Sequence, residues 1–207
     1  MLTQLPCRLL SANPLVAVAD GFLDADGCAR LIEVARDQLA PAAVGTDVAH
    51  ATQSEDRTNS DCFLKAEEAP QAAALLAQLA PMVGLPVAHA EDLSVLHYAP
   101  GQQFKLHVDG IWSGADPDSI QAFDAEGGQR LFTTMVYLND VGGGGGTAFP
   151  QLDLRVGPSQ GRLLIFANTP AGDPDQSPRA GHIGEAVTEG EKWVAVTWWR
   201  AQPYTRT

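Results

Sequence analysis

The chain has 207 residues, with 25 acidic and 13 basic side chains and a formal net charge of −12 at pH 7. That excess of acid excludes a general phosphate-backbone binder, which needs a basic face, and a polybasic membrane anchor. A hydrophobic fraction of 45% with 18% charged residues is the composition of a folding chain, and the length suits one domain with one sizeable core.

The opening MLTQLPCRLLSANP has no positive segment followed by a long apolar run, so no secretory signal is expected. No apolar stretch approaches the roughly 18 residues of a membrane span. Three scattered cysteines, Cys7, Cys28 and Cys62, suit neither a disulfide framework nor a zinc site. The expectation is a soluble cytoplasmic protein with no membrane or nucleic-acid partner. Leu15 to Val18 read as a short strand. Asp24-Ala-Asp26-Gly27-Cys28 reads as a helix start, with acids at the positive end of the helix dipole. Leu31, Ile32, Val34, Ala35 and Leu39 then give an amphipathic stripe that ends before Pro41. Residues 42–62 are polar and loop-like. A second helix is expected from about Glu67 to Leu79, ended by Pro81 and Gly84.

After residue 90 the texture changes. Leu93–Tyr98, Phe104–Asp109, Leu131–Leu138, Arg162–Asn168 and Lys192–Arg200 are short alternating segments divided by Gly, Pro and Asp, as in a sandwich or barrel. No linker separates them from the helices. The expected architecture is therefore mainly β with supporting α-helices, in a single domain over 1–207. Helical support fills about 1–90 and the β core about 91–203. Gly110–Gly128 and Asn168–Gly181 are rich in Gly, Asp, Pro and Ser and read as mobile loops that could close over a site. The run Gly142–Gly146 lacks a G-K-[ST] ending, so it reads as a turn between strands and not as a phosphate loop.

Of five histidines, His50, His89 and His97 suggest no chemistry. His107 differs because Asp109 follows two residues later. In a strand both point to one face, with Phe104, Leu106 and Val108 on the other. A buried carboxylate needs a partner, and a divalent metal is one. One more histidine from a distant strand would complete a 2-His-1-carboxylate set, which leaves positions open on iron. An isolated H-x-D is nevertheless common in surface pairs. At the C-terminus, His182 precedes a strand, a turn at Gly190 and Lys192. Lys192, Val194, Val196 and Trp198 alternate onto one face; Trp193, Ala195, Thr197 and Trp199 take the other. A lysine on an apolar inner face calls for an anion. The other reading of Lys192 is a charged guard on a strand edge.

Longer runs carry a resemblance. They are Leu96-His-Tyr98-Ala-Pro-Gly101 through His107-Val-Asp109, Gly127-Gly-Gln-Arg130, Met135-Val-Tyr137-Leu-Asn, Gly145-Gly-Thr147-Ala-Phe-Pro150, Gly161-Arg-Leu-Leu-Ile-Phe166 and His182 to Trp193. With Asp56-Arg57-Thr58 and Phe63-Leu64, they resemble the prolyl 4-hydroxylase branch of the iron(II)/2-oxoglutarate dioxygenases, over most of the chain. The resemblance implies a double-stranded β-helix, that is, a jelly roll packed by N-terminal helices. It implies ferrous iron on His107, Asp109 and His182. It implies 2-oxoglutarate with its far carboxylate on Lys192, near Tyr98, Thr147, Trp198 and Tyr137. Arg130 matches a family arginine close to the peptide substrate. Ascorbate is a candidate additional cofactor. The implied reaction consumes O2, converts 2-oxoglutarate to succinate and CO2, and hydroxylates an unactivated C–H. The first-choice substrate is a prolyl residue in a peptide or protein, and the second a free amino acid or small natural product.

Three departures bear on the substrate. Phe104 stands where relatives often carry tyrosine. His-Ile-Gly-Glu-Ala-Val replaces a His-Ala-Gly-x-Pro-Val run. The Gly110–Gly128 loop is long and acidic. The aspartate at position 109 argues against the halogenase variant. The rival readings from another class are a cupin-type metal protein that does not use 2-oxoglutarate, with no role for Lys192, and a non-catalytic sensing domain.

Overall fold

In the computed structural model, residues 7–43, 54–111, 115–169 and 179–206 are described. The first elements are β1 (Arg8–Ala12), β2 (Leu15–Ala19), α1 (Ala25–Arg36), β3 (Ala40–Pro41), β4 (Ser60–Leu64) and α2 (Pro70–Val83). Then come β5 (Leu93–Tyr98), β6 (Phe104–His107), α3 (Pro117–Ala125), β7 (Arg130–Tyr137), β8 (Gly143–Gly144), β9 (Thr147–Phe149) and β10 (Leu154–Val156). The chain closes with β11 (Leu163–Ala167), β12 (His182–Gly184), β13 (Val187–Glu189) and β14 (Lys192–Arg200). His50 and most of the 168–181 segment lie outside the described residues.

A large antiparallel sheet runs β1-β2-β11-β7-β14-β5-β4-β3, and a smaller one runs β10-β9-β12-β6. Between them sits one apolar cluster with Leu96, Tyr98, Tyr137, Phe149, Phe166, Val194 and Val196. This is a jelly-roll interior. The outer face of the large sheet carries a second cluster, in which Leu31 and Ala35 of α1 and Leu75, Leu76 and Leu79 of α2 pack on Val95, Trp193, Ala195 and Trp199. The period-two alternation of β14 decides which residue meets which cluster. Trp193, Ala195 and Trp199 face the helices, and Val194, Val196 and Trp198 face the interior, as the sequence predicts. Each strand-facing Leu of α2 is at most 3% exposed, so burial drives the helix onto the sheet at about 1.5–3 kcal/mol per side chain.

The start of α1 follows the sequence. The Asp24 carboxylate accepts from the Gly27 N–H at 2.7 Å, and Asp26 lies in the first turn. Helix α2 departs at both ends. It begins at Pro70, a favoured first position, and it runs through Pro81 to Val83. Pro81 removes one N–H bond in the last turns, and Gly84 closes the helix at φ 71° with its N–H on the Ala80 carbonyl. The polar stretch 42–62 also contributes β4 to the large sheet. Gly144 is fixed by sterics: at φ 70° a Cβ would lie 2.1 Å from the Ala186 carbonyl oxygen, where β8 pairs with β13.

The Gly110–Gly128 segment is not a bare loop. It contains α3, capped by Asp116, and its ends are pinned. The Gln129 side chain bonds both the N–H and the carbonyl of Ile111. Arg200 donates to the carbonyls of Phe123 and Gly128 and to Glu126. Among the described residues no helix is long and apolar enough to cross a membrane.

Candidate active site

Strand β6 forms one edge of the small sheet and pairs with β12, setting His107 opposite His182. The register shifts there, with Gly184 opposite Phe104. Lys105 and Leu106 of β6 thus stand opposite the single Ile183 of β12, and the alternation breaks. Phe104 consequently sits with His107, the two rings stacked at 3.5 Å, while Leu106 and Val108 face solvent at 60% and 37% exposure. The sequence reading had put all three on one apolar face opposite His107.

His107 Nε2 lies 3.7 Å from Asp109 Oδ1, and His182 Nε2 lies 3.7 Å from Asp109 Oδ2. The three donor atoms lie within 4.8 Å of one another. Both Nδ1 atoms meet backbone carbonyls, His107 at Lys105 (2.8 Å) and His182 at Ala180 (3.2 Å). A carbonyl only accepts, so each Nδ1 carries a proton, and Nε2 is the ring atom that each histidine turns toward Asp109. Burial, then the neighbouring His182, holds His107 down at about 3, so its ring is neutral. Burial pushes Asp109 up, but the two imidazoles and the Thr133 hydroxyl outweigh it and keep the carboxyl below its usual range.

A buried carboxylate with two imidazole nitrogens at 3.7 Å has no hydrogen bond from either ring. Donors each roughly 2.1 Å from one ion stand about 3–4 Å apart, so a divalent cation fits between them. Two imidazoles and one carboxylate, with no fourth donor grouped with them among the described residues, form the facial arrangement of non-haem iron oxygenases.

In the same cleft lies Lys192, 1% exposed. Its Nζ is 4.8 Å from the Tyr98 ring centre and 5.5 Å from that of Tyr137. Among the described residues it has no hydrogen-bond or ion-pair partner. Burial pulls its ammonium down to about 7, against the opposing charge of Glu185. An uncompensated cation at the end of an apolar cleft is a receptor for an anion. Tyr98, Thr147 and Trp198 line the same cleft, with Val194, Val196 and Met135 as apolar wall.

Tyr137 stands behind Thr147 and does not line the cleft. Its hydroxyl is 2.7 Å from Thr147 Oγ1 and 3.3 Å from the Val156 carbonyl. Arg130 does not line it either. Its guanidinium is clamped by both Glu91 oxygens at 2.6 Å and stacks over Trp198 at 4.1 Å. Glu91 also holds the fully buried Arg200 at 2.6 Å. Arg57 does line the cleft, over the Phe104 ring and paired with Asp61 at 2.6 Å. Sequence reasoning assigned no site role to Glu91, Arg200, Thr133 or Asn168. A charged or polar residue flanking a strand gives no local sign of the distant partner that occupies it. His97 and His89 lie outside the cleft, against Glu191 and the Arg200 carbonyl.

The family model described as the 2OG-Fe(II) oxygenase superfamily matches residues 93–200. A probable prolyl 4-hydroxylase 10 of Arabidopsis thaliana is 30% identical over 95% of this chain and 72% of its own length. Prolyl 4-hydroxylase 2 of the same plant is 31% identical over 92% of this chain and 69% of its own. Among solved structures, a viral collagen prolyl hydroxylase from Paramecium Bursaria Chlorella virus-1, in a 2OG complex, superposes with a TM-score of 0.68. That match has 26% identity and covers 88% of this chain and 94% of the other.

Proposed function

The chain belongs to the 2OG-Fe(II) oxygenase superfamily as a prolyl 4-hydroxylase-like, 2-oxoglutarate-dependent dioxygenase, and from that premise we propose that it hydroxylates a prolyl residue of a peptide or protein. The cupin-type and non-catalytic readings fall with that membership. The observation that carries the site assignment is the pairing of two unlike features across one cleft. On one side stand two imidazoles and a carboxylate, and on the other a buried ammonium with no hydrogen-bond or ion-pair partner among the described residues.

In this reading His107, Asp109 and His182 hold ferrous iron. The bound iron and cosubstrate supply O2 activation, with 2-oxoglutarate going to succinate and CO2 and one oxygen going into a C–H. The protein's part is orientation and exclusion of water. The Nδ1 contacts to the Lys105 and Ala180 carbonyls fix both rings and keep both Nε2 lone pairs directed inward. Lys192 binds the far carboxylate of the keto-diacid, and the Tyr98 and Thr147 hydroxyls add donors beside it. Val194, Val196 and the Trp198 indole give an apolar wall that excludes water from the reacting end. The helices α1 and α2 serve as scaffold for the large sheet, so that 1–207 works as one domain.

Arg57 and Phe104 also line the cleft, a guanidinium on an aromatic face. That surface suits a carbonyl-bearing, ring-containing group such as a prolyl residue. The test is incubation with Fe(II), 2-oxoglutarate and proline-rich peptides, followed by mass spectrometry. The expected result is peptide-stimulated succinate and a product heavier by one oxygen. Stimulation by free amino acids or small natural products alone would move the substrate to that class.

A further inference from the structure

Behind Asp109 the Thr133 hydroxyl is the first link of a chain of buried polar groups. Thr133 on β7 and Asn168 just past β11 are each 1% exposed. The Thr133 hydroxyl stands 2.6 Å from Asp109 Oδ2, and Asn168 Nδ2 stands 2.9 Å from that hydroxyl. The carboxylate only accepts and the amide N–H only donates, while a hydroxyl has one proton to give. The direction is therefore fixed: Asn168 donates to Thr133, and Thr133 donates to Asp109. A competing Thr133–Asn168 Oδ1 contact is 3.3 Å long and loses to the short bond onto a charged acceptor. Asn168 is itself fixed, since its backbone N–H bonds the Leu131 carbonyl at 2.8 Å.

The two oxygens of Asp109 are thus unlike. Each stands 3.7 Å from one imidazole, Oδ1 from His107 Nε2 and Oδ2 from His182 Nε2, but Oδ2 is also held by Thr133, whereas Oδ1 accepts no hydrogen bond among the described residues. We propose that Thr133 and Asn168 are positioning residues that restrict Asp109 to a single free oxygen for the metal. The inference rests on the reading of His107, Asp109 and His182 as the iron ligands. A carboxylate released from Thr133 can turn both oxygens to the ion. It then takes a position that the 2-His-1-carboxylate set leaves open for cosubstrate and O2. Thr133 sits within β7, whose neighbour in the large sheet is β11, and Asn168 follows β11 directly. The backbone bond from Asn168 to Leu131 extends that pairing by one residue and holds the two groups together.

The test uses the full chain and Mn(II) as probe, with Thr133→Val, Thr133→Ser and Asn168→Ala. Mn(II) binding is measured by electron paramagnetic resonance of the free ion, 2-oxoglutarate binding to the loaded protein by calorimetry, and folding by thermal melts. Thr133→Val is expected to weaken Mn(II) about 10-fold or more, within the 10–100-fold range of lost outer-sphere partners, and to weaken 2-oxoglutarate as well. Thr133→Ser restores wild-type affinity for both, and Asn168→Ala falls between. If wild type itself fails to bind Mn(II), the metal-site reading is what fails. If wild type binds and a folded Thr133→Val binds both ligands with wild-type constants, the positioning role is overturned and the metal site stands. Should Thr133→Val not fold, wild-type constants in Asn168→Ala overturn it by the same criterion.

Discussion

Lys192 and Tyr98 face each other across paired strands, with the ammonium 4.8 Å from the phenol ring centre and in no ion pair among the described residues. A π-face does not replace the hydration that a buried cation loses. In the free protein Lys192 is therefore a cost to folding that a dianionic ligand relieves.

Lys192→Met should raise the stability of the metal-free protein by about 1–4 kcal/mol while abolishing 2-oxoglutarate binding. The pH sign follows from the shift. Lysine's ordinary value is 10.5 and burial lowers it to about 7. Between these values the unfolded chain binds more protons, so stability climbs with pH across that window. The penalty is fully present below pH 7. Denaturant melts at several pH values check this. The wild-type curve minus the Lys192→Met curve should rise from pH 7 toward 10; a flat difference contradicts it.

Metal loading should stabilise the fold. At a free Mn(II) concentration of 100 times Kd, the gain is about 2.7 kcal/mol. Asp109→Ala should abolish that gain, because it removes the only charged donor of the three. Thermal melts with and without a chelator give the comparison. An equal shift in Asp109→Ala would place the ion elsewhere.

Glu91→Gln should destabilise by about 3–5 kcal/mol, the usual cost of breaking a buried ion pair on one side. Glu91 holds both Arg130 and Arg200 at 2.6 Å, and Arg200 is fully buried. Chemical denaturation measures it. A loss under 1 kcal/mol would mean that water or Glu126 takes over the role of Glu91.

Tyr137→Phe should raise the KM for 2-oxoglutarate about 2–10-fold, the worth of one net hydrogen bond, and leave kcat at saturation unchanged. The Tyr137 hydroxyl touches Thr147 at 2.7 Å from outside the cleft, so its removal loosens a donor without touching the metal side. Steady-state kinetics separate the two constants. An unchanged KM removes Tyr137 from the cosubstrate account.

The legible parts of the fold are those with a strong local period. The alternation from Lys192 to Trp199 sorted itself between two cores as read, and the His107–Asp109 spacing put two donors at one place. The bulge in β6 was not legible, because it depends on how β12 pairs with it, and it moved Phe104 from the outer face onto His107. Helix α3 was hidden in a composition rich in Gly and Asp, although Asp116-Pro117 is a helix start in itself. Thr133, Asn168 and Glu91 were invisible for a different reason. Each acts through a partner at least 24 residues away in sequence, which no local pattern encodes.

The most direct measurement is a crystal structure of the full chain grown with Mn(II) and 2-oxoglutarate without O2, with anomalous data to locate the metal. The account predicts one strong anomalous peak among His107 Nε2, Asp109 Oδ1 and His182 Nε2, with the far carboxylate of the ligand on Lys192 Nζ. A metal peak away from those three atoms, or a ligand whose far carboxylate leaves Lys192 bare, would contradict it.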